Sequence, residues 1–197
     1  MTSRGFLRQY SVALRALLVF TIVLGIGYPA VVGLIGRTMP ARADGSLVSV
    51  DGQVVGSSLI GQPFTDADGN PLPQWFQSRP SAAGYAGDGS VGSNLGPEST
   101  DLVQSIEDRR AAIAAFEHVD PAAVPADALT ASASGLDPDI SPDYALLQVD
   151  RVAEARGLPA DRVRALVETM MEPGDLGYLS EPTVNVLQLN VALAAMS

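Results

Sequence analysis

The sequence contains no cysteine and no lysine, and it has one histidine and one tryptophan. Without cysteine the chain forms no disulfide and none of the thiolate-bound structural zinc sites. Without lysine, and with 22 acidic residues against 12 arginines, it lacks the basic surface that nucleic-acid binding requires. A serine hydrolase needs a histidine base beside a nucleophilic serine, which often lies in a G-x-S-x-G motif. The sequence has one histidine, His118, and no such motif, so it does not indicate a serine hydrolase.

Charge is also missing from one stretch of the chain, the 21 residues from Ala16 to Gly36. A helix of that length spans about 30 Å of hydrocarbon. The first 43 residues contain no acid and five arginines, of which Arg4, Arg8 and Arg15 precede the run. The positive-inside rule then predicts a single-pass plasma-membrane protein with residues 1–15 in the cytoplasm, a span at 16–36 and residues 37–197 outside.

A cleaved signal peptide is the alternative, because Ala41-Arg42-Ala43 has the A-x-A form of a cleavage site. The apolar run is longer than the usual signal core and contains Pro29, which a membrane span tolerates. We therefore favour a retained anchor.

Small residues and one proline lie near one face of the span, and such a face allows a second helix to approach closely. The general abundance of glycine in membrane helices is the other explanation. A single span without an ionisable residue cannot conduct ions by itself. The predicted partner-docking face consists of Gly25, Pro29, Gly33 and Gly36.

The rest of the chain predicts an α+β domain, with strands first and helices later. Short strands are expected at 47–50, 54–55 and 59–60 with a turn at Asp51-Gly52, followed by a long ordered loop region at 66–97 that contains Trp75. Helices are expected at 99–119, from the Ser141-Pro142 cap to Gly157, and from Pro159 through Met170. At the end of the chain we expect a strand over Val184–Leu189 and a short helix over Asn190–Met196.

Three motifs resemble ligand sites. Gly87–Gly92 has the letters of a dinucleotide fingerprint, but it lacks the flanking strand and helix, so a surface loop is favoured. Asp66–Asn70 resembles the start of a calcium loop but lacks its glycine and glutamate, and a turn is favoured. The acidic residues Asp137, Asp139 and Asp143 could attract cations through their field, although a solvated turn with capping roles is the favoured interpretation. No catalytic or metal-ligating set is identified.

Several blocks, in this order, resemble the C subunits of the potassium-transporting Kdp P-type ATPases. They include Gly56–Gln62 with Phe64, Arg79–Ala82, Gly92–Leu95, Leu129–Leu136, Ile140–Pro142, Gln148 with Arg151–Ala153, and Glu181-Pro182 with Val184–Leu187 and Leu189-Asn190. The single N-terminal span agrees with that family.

The resemblance implies an accessory, non-catalytic subunit of a high-affinity potassium uptake complex. Its partners would be a channel-like potassium-binding subunit, an ATP-hydrolysing subunit and the lipid bilayer. One implied role is to stabilise the assembly and cover the outer potassium entrance. Another is a catalytic chaperone that raises the ATP affinity of the pump subunit, with Val184, Asn185, Leu187, Gln188 and Asn190 as the implied nucleotide segment.

ATP enters only through this resemblance, and no tightly bound cofactor is expected. The predicted topology conflicts with the chaperone role, because it places the segment outside, away from cytosolic ATP. An independent membrane-anchored or secreted enzyme or binding protein is the remaining alternative.

Overall fold

The computed structural model describes residues 3–177 and 179–196, with the side chains of all of these except residues 3–6 and 175. The side chain of Arg4, one of the charges placed before the span, therefore lies outside the described residues. The described chain forms two compact units that divide between Ser46 and Leu47.

The first unit is helical almost throughout. It consists of α1 (Ser3–Phe20), a π-helical segment (Thr21–Gly27), α2 (Tyr28–Gly36) and the short α3 (Pro40–Ala43). Within the described residues, one stretch, Leu7–Gly36, is long and apolar enough to cross a membrane. With the mixed domain that follows, this confirms the predicted α+β architecture with a single transmembrane helix.

The second unit begins with an antiparallel hairpin. Strand β1 (Leu47–Val50) pairs with β2 (Gln53–Ser57), with Leu47 opposite Ser57 and Val50 opposite Gln53. The predicted turn is confirmed, since Asp51 and Gly52 both adopt positive φ angles, 51° and 78°, as a two-residue hairpin turn requires. The predicted strand at 59–60 is wrong, because this pair lies in a turn in which the Ile60 N–H donates to the Ser57 carbonyl.

Helices are the main regular elements of the remaining domain. Helix α4 (Thr100–Glu117) confirms the prediction at 99–119, and α8 (Ala160–Thr169) confirms the one after Pro159. The predicted helix from Pro142 to Gly157 is present but broken at Gln148 into α6 (Pro142–Leu147) and α7 (Val149–Arg156). Shorter helical elements are a 3-10 turn (Pro121–Ala123), α5 (Ala126–Leu129) and a second 3-10 turn (Asp175–Gly177).

The end of the chain differs from the prediction. Strand β4 covers only Val184–Asn185, where it pairs with β3 (Asp139–Ile140), and α9 runs from Val186 to Ala194. The expected strand over Val184–Leu189 is therefore wrong beyond its first two residues. The Asn185 side chain accepts a hydrogen bond from the Gln188 N–H at 3.1 Å and caps the helix. This cap starts the helix four residues earlier than the apolar pattern suggested.

The core of the domain lies among α4 to α9 and the β3–β4 pair. Among its fully buried side chains are Ile140, Val149, Val152, Val163, Val167, Val184, Leu189 and Leu193. Residues 58–98 form neither helix nor strand, apart from an isolated bridge between Thr65 and Pro71, and we call them the irregular segment. This segment nevertheless contributes Phe76 to the core, where that ring is fully buried.

Candidate functional site

The irregular segment is attached to α9 through one amide side chain. Asn190, 2% exposed, accepts a hydrogen bond from the Phe76 N–H at 2.9 Å and donates to the Phe76 carbonyl at 3.0 Å. Both main-chain groups of a loop residue are thus paired as they would be in a strand. Asn190 therefore places the Phe76 ring in the core.

Arg151 of α7 makes a second attachment. Its guanidinium donates to the Glu117 carboxylate at 2.9 Å, to the Gln148 side chain at 2.8 Å and to the carbonyls of Pro73 and Trp75 at 2.5 and 3.0 Å. Arginine suits this position because its planar fork offers five donors in fixed directions. The break between α6 and α7 places Gln148 so that its amide also pairs with the main chain of Gln77.

Glu117 is the buried partner of this arginine. Its side chain is 1% exposed and that of Arg151 is 6% exposed. Burial raises the pKa of Glu117 above its usual value, and the adjacent Arg151 guanidinium opposes that rise. A half-open cavity of about 600 Å³ lies beside the pair and is also lined by His118, Asp150 and Glu154.

Arg156, five residues beyond Arg151, holds the same loop through different groups. Its Nε donates to the Gln74 carbonyl at 3.0 Å, and its guanidinium lies 4.3 Å from the centre of the Trp75 ring. This stacking is a cation–π contact. The two arginines together fix the main chain from Pro73 to Trp75.

An acidic cleft forms around the β3–β4 pair. It has a volume of about 230 Å³ and is lined by Asp127, Asp137, Asp139 and Glu181, together with Arg79. Asp137 pairs with Arg79 at 2.7 Å, and Asp127 accepts from both the N–H and the hydroxyl of Ser141. Most of these carboxylates therefore already have a partner within the chain.

A mainly apolar groove of about 300 Å³ separates the hairpin from α9. It is lined by Val50, Val55, Gln62, Phe64, Trp75, Leu187, Asn190, Val191 and Ala194. Within the described residues, no group of three or more histidines or acids is arranged to hold a metal ion.

Comparisons with known proteins decide the family. Residues 10–195 match the family model described as K+-transporting ATPase, c chain. The chain belongs to this family. A potassium-transporting ATPase KdpC subunit from Kineococcus radiotolerans is 57% identical over 191 residues, covering 96% of this chain and 94% of that protein. KdpC subunits from Streptomyces coelicolor and Beijerinckia indica are 45% and 46% identical, over 96% and 91% of this chain and 93% and 90% of theirs.

In this c chain, the segment implied to contact nucleotide lies at β4 and the start of α9. Val184, Leu187 and Asn190 are buried, and the Asn185 side chain donates to the Ser58 carbonyl and to Asp139. Gln188 is partly exposed. The polar atoms of the two asparagines are thus used inside the domain, and a nucleotide role for this segment stays a prediction.

The three predicted cation-attracting carboxylates of the c chain have different surroundings. Asp137 is paired with Arg79, whereas Asp143 lies exposed in the first turn of α6. Asp139 accepts from Asn185, and its burial raises its pKa above the usual value. The structure brings Asp137 and Asp139 to one cleft, whose lining does not include Asp143.

The predicted docking face lies on the helical unit of the c chain. Gly25 belongs to the π-helical segment, and Pro29, Gly33 and Gly36 belong to α2. A Cβ atom added at Gly33 would meet no atom of another residue's side chain or of a distant main chain within 4 Å. Docking at this face stays a prediction.

The stretch Leu129–Pro142 is rich in small residues, which predict close packing against a partner or the core, and its Ala133–Gly135 part contacts the irregular segment. The Val91 N–H donates to the Ser134 carbonyl at 2.9 Å. A Cβ added at Gly92 would lie 2.8 Å from the Ala133 carbonyl, and one at Gly135 would lie 2.5 Å from the Val91 carbonyl. Gly135 also has a positive φ of 67°, which disfavours other residues. Of the glycines in the Gly87–Gly92 motif, Gly92 serves this contact, whereas a Cβ added at Gly89 would meet no atom within 4 Å.

Sequence reasoning missed the attachments made by Glu117 and by the side chain of Arg151. These residues are 34 positions apart, and each lies on a helix whose exposed faces also carry charges. The weak signal was that Gln148, Arg151 and Asn190 fall within the blocks that resemble the family. The resemblance gave Gln148 and Arg151 no role and implied only a nucleotide contact for Asn190, whereas the structure shows that all three hold the irregular segment.

Proposed function

We propose that this chain is the accessory subunit of an ATP-driven potassium uptake complex, in which it stabilises the assembly and covers the outer potassium entrance. The supporting observation is the family match over residues 10–195, which includes the membrane helix and the folded domain together. A match of this extent favours a subunit that acts through both parts.

In this proposal the helical unit spans the plasma membrane with its N-terminus in the cytoplasm. Arg8 and Arg15 lie before the uncharged run, and the domain that follows is strongly acidic. The span would pack on the channel-like subunit through the face with Gly25 and Gly33, because residues without bulk allow close helix contact.

The domain would act outside as a rigid cover. Its loops are held by buried side-chain contacts such as Asn190 with Phe76, so it can present a fixed surface to a partner. Asp139 and Asp143 would add a negative field that raises the local cation concentration. Asp137 contributes less to this field, since Arg79 offsets its charge.

Co-purification tests the assembly role. The ATP-hydrolysing subunit is tagged, and the complex is isolated from membranes with and without this chain. We expect this chain to co-purify with both other subunits and the yield of intact complex to fall without it. A chain that remains monomeric, with the other subunits assembled as before, would contradict the proposal and favour an independent anchored protein.

Topology can be tested cleanly because the chain has no native cysteine. Single cysteines at the exposed positions Arg8 and Asp161 are labelled in intact cells with a membrane-impermeant maleimide. We expect labelling at Asp161→Cys and none at Arg8→Cys until the membrane is opened. The reverse pattern would place the domain in the cytosol and favour the ATP-affinity role.

The field is tested separately from assembly. Asp143→Asn and Asp139→Asn are combined in the intact complex, and potassium uptake is measured at low and at high ionic strength. We expect a higher apparent KM for potassium at low salt and no difference at high salt, where the field is screened. An unchanged KM at low salt would remove the field from the proposal while leaving the cover in place.

A further inference from the structure

The hydrogen-bond pattern of the membrane helix leaves one main-chain carbonyl without its regular helical donor. In the π-helical segment, the Tyr28 N–H donates to the Val23 carbonyl, five residues back. The next carbonyl, that of Leu24, would receive the N–H of residue 29 in the same pattern, but residue 29 is proline and has no N–H. In an α-helix the Leu24 carbonyl would accept from the Tyr28 N–H, but that N–H already donates to the Val23 carbonyl. The Leu24 carbonyl has lost both helical donors.

The position of this carbonyl makes the loss costly. Leu24 is eight residues inside the uncharged run that starts at Ala16, which places it about 12 Å deep along the helix axis. A main-chain group without a hydrogen bond at that depth is strongly unfavourable, because lipid tails offer no donor. A donor from another molecule would remove this cost.

The surroundings of the carbonyl leave it open to approach. Gly25 and Gly27 follow Leu24 within three residues and carry no side chain to cover its carbonyl. A Cβ added at Gly25 would lie 3.9 Å from the Thr21 methyl, and one added at Gly27 would lie 3.5 Å from the Ile22 carbonyl. The Thr21 hydroxyl does not serve as donor, since a helical threonine bonds to carbonyls that precede it.

We propose that the Leu24 carbonyl accepts a hydrogen bond from a polar side chain on a transmembrane helix of a partner subunit, at a contact centred on Gly25 and Gly27. The donor is of the Ser, Thr, Asn or Gln type, which bridge helices within membranes. This inference rests on the proposed function, because it needs a membrane partner, and it adds the point of contact and the chemistry of the partner residue.

The test restores the missing donor. In the complete complex with a tagged pump subunit, Pro29→Ala restores the N–H at position 29, so the Leu24 carbonyl can receive a donor from residue 29 in the π pattern or from Tyr28 in the α pattern. Ile26→Ala on the same turn removes side-chain bulk without adding a donor and is the matched control. We expect Pro29→Ala to dissociate from the complex roughly three- to tenfold faster in detergent than the parent chain, as loss of one interhelical hydrogen bond implies. Ile26→Ala is expected to dissociate at a rate closer to that of the parent.

A second variant separates the hydrogen bond from the proline kink. Pro29→Ala combined with Ala30→Pro keeps one proline but moves the missing N–H by one residue, which turns the free carbonyl by about 100° around the helix. We expect this variant to dissociate as fast as Pro29→Ala. Restored retention would show that the kink alone matters and would overturn the proposal.

Photo-crosslinking locates the contact directly. A photoreactive amino acid replaces Leu24 or, on the opposite side of the helix, Ile22. We expect crosslinks from position 24 to a partner subunit and from position 22 mainly to lipid. Lipid crosslinks alone from position 24, or a Pro29→Ala chain retained like the parent, would overturn the inference. A parent chain that does not co-purify at all would overturn the proposed function together with it.

Discussion

The irregular segment (58–98) and the helical part of the domain (99–196) become ordered in different ways. The helical part buries a continuous apolar core, in which Val149, Val163 and Leu189 are fully buried. The irregular segment contributes few core side chains and is held by side-chain bonds to its main chain from Gln148, Arg151 and Asn190. Burial of apolar surface spreads stability over many residues, whereas these bonds concentrate the attachment in a few.

The comparison is most strongly tested at Arg151. Arg151→Met removes its bonds to Pro73 and Trp75 and leaves the Glu117 carboxylate buried without its partner. We expect a loss of about 3–5 kcal/mol in the free energy of unfolding, measured by urea denaturation of the domain. Protease cleavage should appear within the irregular segment at urea concentrations at which the helices remain folded.

Two controls accompany this change. Arg162→Ala, at an exposed position on α8, should alter the free energy of unfolding by less than about 0.5 kcal/mol. Arg151→Met combined with Glu117→Leu should cost less than Arg151→Met alone, because no buried charge is left unpaired. A double variant less stable than the single one would contradict the role assigned to the ion pair.

The next largest effect is expected at Asn190. Asn190→Ala leaves the N–H and the carbonyl of Phe76 buried and unpaired, so the free energy of unfolding should fall by about 2–4 kcal/mol. Hydrogen exchange should show faster exchange around Phe76 than elsewhere in the domain. Gln188→Ala, two residues away and partly exposed, is the matched control and should change little. Equal effects at the two positions would refute the attachment.

Helix caps provide a smaller and sharper contrast within the helical part. The Ser141 hydroxyl accepts from the Tyr144 N–H at 3.1 Å, whereas Ser99, at the N-cap of α4, makes no side-chain cap bond in the described structure. Ser141→Ala should cost about 1–2 kcal/mol and Ser99→Ala only a few tenths, both measured by thermal unfolding. The test is the order of the two losses in stability: a larger loss for Ser141→Ala than for Ser99→Ala supports the difference between the caps, whatever their absolute size.

The smallest effect is a pH dependence at Asp139. Burial raises the pKa of this carboxyl in the folded state above its unfolded value, so the folded domain binds the proton more tightly. Ionisation of Asp139 therefore lowers stability at neutral pH, and this penalty disappears as the pH falls through the folded pKa toward the unfolded one.

Asp139→Asn should remove that dependence. We expect the variant to gain most relative to the parent at pH 7 and to lose this advantage toward pH 4, as measured by urea unfolding across that range. A variant whose stability relative to the parent does not change with pH would show that Asp139 titrates normally in the fold.

Local signals in the sequence predicted the elements that depend on local chemistry. The Asp51-Gly52 turn, the Ser141-Pro142 start of α6 and the extent of α4 follow from turn and capping preferences and from apolar spacing. A strand was wrongly predicted over Val184–Leu189 because this stretch is apolar. In the structure, the Asn185 side chain caps the N-terminus of a helix there, and α9 forms instead.

The attachments of the irregular segment could not be predicted in this way. Asn190 and Phe76 are 114 residues apart, and Arg151 and Pro73 are 78 apart. Neither pair has the spacing of residues that are neighbours on one helix or strand. The sequence also does not distinguish an arginine that will be buried from one that will be exposed. The acidic cleft was partly predicted, since Asp137 and Asp139 are neighbours, but its Arg79 partner comes from the distant irregular segment.

The close approach of Gly92 to Ala133 and of Gly135 to Val91 has a consequence for how this chain can vary. Each position leaves no room for a side chain because the other segment's main chain is already there. A random mutational library should therefore return almost no functional chain with a substitution at either site. Insertions in the exposed turns nearby should be recovered far more often, so length can vary where residue identity at this crossing cannot.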